Sequence, residues 1–200
     1  MKALFEKIRD LIFKPKQTWE AIDQDPVTTE QLVFSYLLPL AAIPAIAFFL
    51  GYSIFGIRIP FSGVYRMVWW QSLITALTGY GVAILSTVAL AHGISRMAAW
   101  FNSTPDLNSG YKLIVFSYAP FWIAGVLYII PSLSVIVMVA GVYGLYLLFL
   151  GIPKIMHPPE NREKVYGITA IIVAILIHVL LSQITRFVLQ LFGPDLPNIS

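Results

Sequence analysis

The chain contains no cysteine, which excludes disulfides, thiolate metal sites and cysteine nucleophiles together. Charge is scarce as well. Asp, Glu, Lys and Arg make up 12% of the 200 residues, against 58% apolar residues. An average soluble domain carries about twice that charged fraction. Mean hydropathy is +0.79, and a globule of this size has too little interior to hide so much apolar surface. A soluble protein, a disordered chain and a nucleic-acid module are thereby excluded. One integral membrane domain remains. The net charge of +3 then marks a cytoplasmic face rather than a nucleic-acid partner.

Catalytic signatures are missing too. No serine elbow, P-loop, dinucleotide fingerprint or HExxH spacing occurs. There is no repeat of fixed period and no low-complexity tract. The sequence therefore assigns no catalytic residue, no cofactor and no metal.

What is present is a set of five apolar runs, read as spans over residues 31–50, 70–91, 111–130, 133–150 and 166–187. Each is near 20 residues, enough for a ~30 Å hydrocarbon core at ~1.5 Å per residue. This predicts an all-α, polytopic fold of five transmembrane helices. It divides into an N-terminal segment (1–30), a five-helix domain (31–190) and a short tail (191–200) closed by Pro194 and Pro197. The second helix is predicted to run on towards Phe101, and 102–110 reads as a polar turn. Pro39 and Pro44 in the first run, and Pro120 in the third, predict kinks. Trp69 and Trp70 read as an interface belt.

Before the first run, Leu4, Phe5, Ile8, Leu11 and Ile12 form one helical stripe. Lys2, Glu6, Lys7, Arg9 and Asp10 lie elsewhere, so this is an amphipathic helix suited to the headgroup region. It is too charged to span and is no signal peptide. A short second turn offers Trp19 and Ile22 on one side. Thr28 with Gln31 has the capping-box spacing.

Orientation follows from Lys and Arg. Ten of the 13 lie in the N-terminal segment, the second connection and the fourth. Arg58, Arg66 and Arg186 fall on the other side. The excess predicts a cytoplasmic N-terminus and a C-terminus across the membrane.

None of the ten acidic residues falls inside a span. Cation-coupled transport usually keeps a carboxylate at membrane depth, and intramembrane aspartyl proteolysis needs two. Both readings lose support. His92 and His157 read as interface and loop residues. His178 lies inside the fifth run, and Ser182, Arg186 and Gln190 follow at successive i+4 steps, forming one polar stripe. That stripe either lines a cavity or binds an anionic headgroup, or else His178 bonds a neighbouring helix while Arg186 snorkels to the interface. In the second run Thr75, Gly79, Ala83 and Thr87 repeat every four residues. Small residues on one face permit close helix approach, within the chain or across a homodimer.

Two segments carry a resemblance. Residues 116–131 read FSYAPFWIAGVLYIIP, with Tyr118 and Pro120 inside the third run and Pro131 closing it. Residues 141–167 read GVYGLYLLFLGIPKIMHPPENREKVYG, with Tyr143 and Gly144 in the helix and Gly151 and Pro153 at its end. Together with the cluster of Pro15, Trp19 and Ile22, they resemble the small bacterial branch of the Yip1 family. The resemblance implies five helices, a cytoplasmic N-terminus and a C-terminus on the far side of a bacterial inner membrane. Eukaryotic relatives work in vesicle trafficking, some with Rab-type GTPases, through a long N-terminal region bearing an Asp-Leu-Tyr-Gly-Pro-like motif. That motif is absent here, so GTPase binding is not carried over.

The function expected is that of a non-catalytic membrane organiser or adaptor, acting through membrane lipid, other membrane proteins or a second copy of itself. The alternative is a small-solute or ion transporter or channel, oligomeric because five helices enclose little space. Its support is the prolines, since interrupted helices can build solute sites.

Overall fold

A computed structural model describes residues 2–59, 63–104 and 106–192. Helix α1 (Lys2–Phe13) and helix α2 (Pro15–Asp23) precede five long helical spans. The spans are Thr29–Phe55, Trp69–Phe101, Leu107–Ile129, Pro131–Ile155 and Glu160–Phe192. All five are long and apolar enough to cross a membrane, so the chain is an all-α, multi-pass membrane protein. The tail with Pro194, Asp195 and Pro197 lies outside the described residues.

The first span starts on the capping box: Thr28 Oγ1 accepts from Gln31 N–H, and Thr28 N–H donates to the Gln31 side chain. Pro39 has no N–H to donate. The helix answers by loosening to π pairing over Leu32–Leu37, with Leu38 N–H donating to Val33 O. A second π turn, Gly51–Phe55, ends the span. Beyond it lies the Gly-, Pro- and aromatic-rich stretch before Trp69, whose composition predicts a loop. The structure instead pairs strand β1 (Ile57–Ile59) with strand β2 (Gly63–Tyr65) as an antiparallel hairpin. Three-residue strands are too short for a period-2 pattern to register.

Helix ends also move relative to the sequence reading. The third span begins at Leu107, not after Gly110, because Asp106 caps it: its carboxylate accepts from Asn108 N–H at 3.2 Å and Ser109 N–H at 2.8 Å. The fourth span runs through Pro153 to Ile155, and burial of Gly151, Ile152 and Ile155 holds that last turn in place. The fifth starts at Glu160. The second does continue to Phe101, tightening to a 3-10 turn from Ala98.

At one end of the bundle the two N-terminal helices form a cap. Leu4, Ile8 and Leu11 of the α1 stripe are buried within the protein, while Phe5 and Phe13 stay exposed. Trp19 and Ile22 of α2 are fully buried. Trp19 lies over Gly151, where an added Cβ would come within 2.9 Å of the indole. Lys112 fastens the cap. Its ammonium donates to the carbonyls of Asp23 at 3.0 Å and Asp25 at 2.7 Å, and the residue is only 7% exposed. Those carbonyls lie at and just past the C-terminus of α2, where the helix dipole favours a cation. Tyr143 Oη donates to Ile12 O at 2.7 Å, and Asn108 Nδ2 donates to Val27 O at 3.1 Å. Ion pairs Lys7–Asp25 and Lys154–Glu20, with the His157 imidazole against the Asp23 carboxylate, close the rim. The fifth span joins the same end through Tyr166, whose hydroxyl donates to Ile94 O at 2.7 Å and whose ring stacks on Phe101.

Two outcomes are expected. Lys112→Met costs about 3 kcal/mol, the value of two hydrogen bonds to a charged donor; it lowers Tm in detergent and opens trypsin cleavage after Lys16. A parental Tm and cleavage pattern would refute the anchoring role. The second concerns Asp106. Burial opposes its ionisation, but the Ser109 hydroxyl and N–H, the Asn108 N–H and the Lys112 charge outweigh it and hold the carboxyl below its ordinary value. A depressed carboxyl pKa stabilises above the unfolded value near ~4, and that contribution is lost as pH falls through the lower folded value. Asp106→Ala therefore costs about 1 kcal/mol at neutral pH, with the gap to the parent closing in acid thermal melts.

Candidate functional site

The opposite half of the bundle is built differently. Beyond Tyr166, every side-chain hydrogen bond of the fifth span among the described residues stays on its own helix. Thr169 donates to Val165 O, and Ser182 and Gln183 both donate to Val179 O. Val179, Leu180, Ile184 and Phe187 are exposed. The first and second spans remain joined there, with Ser72 Oγ donating to Phe49 O at 3.1 Å and Tyr80 Oη to Leu38 O at 3.3 Å. A cleft is left between the fifth span and the rest.

Three adjoining cavities with shared lining residues make up the cleft. A cavity of about 400 Å³ lies between the second, third and fifth spans, lined by Gly79, Ala83, Ser86 and Thr87 on one wall and His178, Ser182, Thr185 and Arg186 on the other. Tyr118, Phe121, Trp122 and Tyr128 also line it. A second chamber of about 430 Å³ extends it towards the first span, past Pro44, Tyr52 and Thr75, and shares Gly79, Ala83, Tyr128 and Thr185. A third, about 260 Å³, lies between the third, fourth and fifth spans, lined by Met138, Gly141, Val142 and Leu145 with Tyr118 and His178. Phe121 borders all three.

The two sequence stripes thus meet. His178, Ser182 and Arg186 face the cleft opposite Gly79, Ala83 and Thr87. Gln190 is exposed and is not part of the lining. Thr75 and Thr87 are buried, whereas around Gly79 an added Cβ would meet nothing within 4 Å. Within this chain no helix closes on Gly79; the gap is cleft. Close approach occurs at Gly144 instead, where a Cβ would lie 2.8 Å from Ser117 O. Of the other motif residues, Tyr118 lines the cleft, Pro120 is buried inside the third span, Pro131 starts the fourth, and Tyr143, Gly151 and Pro153 belong to the capped end.

The sequence reading missed Thr185, Ser86, Trp122 and Tyr128. Thr185 was within reach, since it lies seven residues after His178, two helical turns along the same face. Ser86 follows Gly79 by the same interval. Tyr128 offered no such signal, because the 3-10 turn at Gly125–Ile129 breaks the period that would place it.

Arg186 is the one charged side chain in the lining, and among the described residues it makes no ion pair. Among the described residues the lining holds no carboxylate. Its polar side chains carry hydroxyls, one indole N–H, one imidazole and one guanidinium, against a mostly aromatic and aliphatic surface. Such a lining has the chemistry to suit an amphipathic molecule. His92 lies elsewhere, its Nδ1 2.9 Å from Val88 O and its ring edge-on to Tyr111. His157, at the capped end, pairs with Asp23 at 3.2 Å.

Comparison with known proteins covers nearly the whole chain. The sequence profile of the Yip1 domain matches residues 9–182. Inner membrane protein YohC of Escherichia coli strain K12 is 22% identical over 178 residues, which is 88% of this chain and 91% of the relative. YohC of Escherichia coli O6:H1 matches to the same extent. No solved structure matches. The matched stretch takes in His178 and Ser182 and stops short of Thr185 and Arg186.

A paired substitution separates cleft from contact. Gly79→Leu is expected to be neutral or stabilising by up to about 1 kcal/mol, through helix propensity. Gly144→Leu is expected to cost about 1–3 kcal/mol by overpacking. Equal losses of Tm in the two variants would mean that the second span is packed where the structure leaves it open.

Proposed function

This chain belongs to the Yip1 domain family, and we propose that it is a non-catalytic membrane organiser or adaptor that works by holding a membrane constituent in the cleft beside its fifth span. The observation that carries the proposal is the make-up of that cleft. It lies at membrane depth, joins an apolar surface to hydroxyls and one cation, and among the described residues lacks the carboxylate that proton or cation coupling uses. Placement in the inner membrane follows the name of its Escherichia coli relative. A cytoplasmic N-terminus follows from the distribution of Lys and Arg. The capped end then faces the cytoplasm, and the cleft lies in the outer half of the membrane.

Transport of a small solute is the second reading. Its support is specific: π turns flank the proline-bearing helix of the first span, and such turns recur at functional sites. Against it stands the capped end, where Trp19, Phe116 and Tyr166 are fully buried. A path through the monomer has to break that packing.

The test uses the full chain extracted in native lipid particles, with mass spectrometry of what stays bound. The expected result is one lipid class enriched over the surrounding membrane, or a stoichiometric protein partner. Liposomes carrying the purified chain should stay as tight to ions and small solutes as empty ones. Bulk-composition lipid with no partner, together with solute flux, would replace this reading with the second.

A further inference from the structure

We infer that the constituent held in the cleft is an anionic glycerophospholipid, its phosphate on Arg186 and an acyl chain along the Tyr118–Phe121 wall. This rests on the reading of the cleft as a binding site and names what it binds.

The argument is one of depth and charge. The fifth span leaves the capped end at Tyr166, just after Glu163 and Lys164. Charged side chains mark the edge of the hydrocarbon core. At the helix rise, Arg186 lies ~30 Å beyond Tyr166, which is the thickness of that core. Arg186 therefore stands at the far headgroup level. Ser182 lies ~6 Å below it and His178 ~12 Å below it by the same rise. Polarity falls along this descent as it does along a phospholipid. A guanidinium sits at phosphate depth and matches a phosphate oxygen pair with a planar fork of donors. The hydroxyls of Ser182 and Thr185 follow at the depth of glycerol and its esters. Deeper still, His178 is the shared wall between the polar chamber and the apolar one lined by Phe121, Met138 and Val142.

The exposed flank of the fifth span lets such a molecule enter sideways from the bilayer. Val179, Leu180 and Ile184 are exposed on that helix, and beyond Tyr166 none of its side chains bonds a neighbouring helix among the described residues. Charge selects among lipids. A zwitterionic head brings its own cation to Arg186, whereas a net-negative head leaves the phosphate charge to the arginine. Among the described residues no carboxylate in the lining competes, so the net-negative head is preferred.

The experiment is native mass spectrometry of the full chain in detergent, titrated with phosphatidylglycerol and, separately, with phosphatidylcholine. The expected result is one phosphatidylglycerol retained per chain, with roughly tenfold preference over phosphatidylcholine. Arg186→Gln should abolish the preference and Arg186→Lys should keep most of it. Gly79→Leu, which narrows the cleft, should weaken retention of both lipids. The paired variant Lys14→Gln, Lys16→Gln, at the capped end, should behave as the parent. Equal retention of the two lipids by the parent, still weakened by Gly79→Leu, would overturn the anionic assignment and leave the cleft reading standing. Indifference of both lipids to Gly79→Leu would overturn the cleft reading itself. Loss of phosphatidylglycerol in the paired lysine variant would move the anion site to the capped end and overturn the assignment to Arg186.

Discussion

The structure depends on one buried cation. Lys112 reaches from the start of the third span to the carbonyls of Asp23 and Asp25. A buried ammonium is tolerated only when its donors are met. Here the acceptors belong to a segment almost ninety residues earlier in the chain, so meeting them fixes where α2 lies. With α2 fixed, Trp19 lies on Gly151 and the fourth span cannot slide past it. Asp25, held by its carbonyl, also takes Lys7 of α1 in an ion pair. One ammonium thus joins α1, α2 and the third and fourth spans at a single end of the bundle.

Why that end is tight and the other open follows from the two solvents involved. At the capped end α1 and α2 meet water and headgroups, where burying Leu4, Ile8, Leu11 and Ile22 is favourable by area. Inside the hydrocarbon no such gain exists, because lipid tails are as apolar as the side chains. Helices there stay together only where backbones approach closely or polar groups bond across. The third and fourth spans have that contact at Gly144 against Ser117, and the first and second share the Ser72 and Tyr80 bonds. The far part of the fifth span has neither. Its serine and glutamine donate to the carbonyl of Val179 on their own helix, and it leaves space beside itself.

Much of this was legible in the sequence, and the parts that were not share a cause. Five spans, the capping box and the i+4 stripes are periodic features, and periodicity survives folding. Which stripe faces which helix is not periodic information. His178 and Gly79 each announced a face, but only the tertiary arrangement sets them across one cavity. Lys112 shows the same limit. It reads as a topology-setting charge beside a loop, because its partners are backbone carbonyls that carry no residue-type signal. The stripe on α1 is ambiguous for a different reason: Leu4, Ile8 and Leu11 suit a membrane surface or a protein surface equally, since both reward burial of the same face. The structure gives them to the protein and leaves Phe5 and Phe13 outside.

The unequal ends of the bundle favour holding a molecule over passing one, the reading proposed above. Passage requires that the same site face the two sides of the membrane in turn, so both ends of the bundle must be able to part. Here the ends are unequal. Parting the capped end means withdrawing Lys112 from its carbonyls and Trp19 from its pocket. Loss of a buried hydrogen-bonded charge costs several kcal/mol, and truncating a buried tryptophan costs about 3–5 kcal/mol. At the cleft end, among the described residues, no side-chain hydrogen bond ties the fifth span beyond Tyr166 to its neighbours. A bundle that opens easily at one end and hardly at the other exchanges molecules with one leaflet. On the proposed reading this is a receptor for a membrane constituent, with its selecting residues on the fifth span.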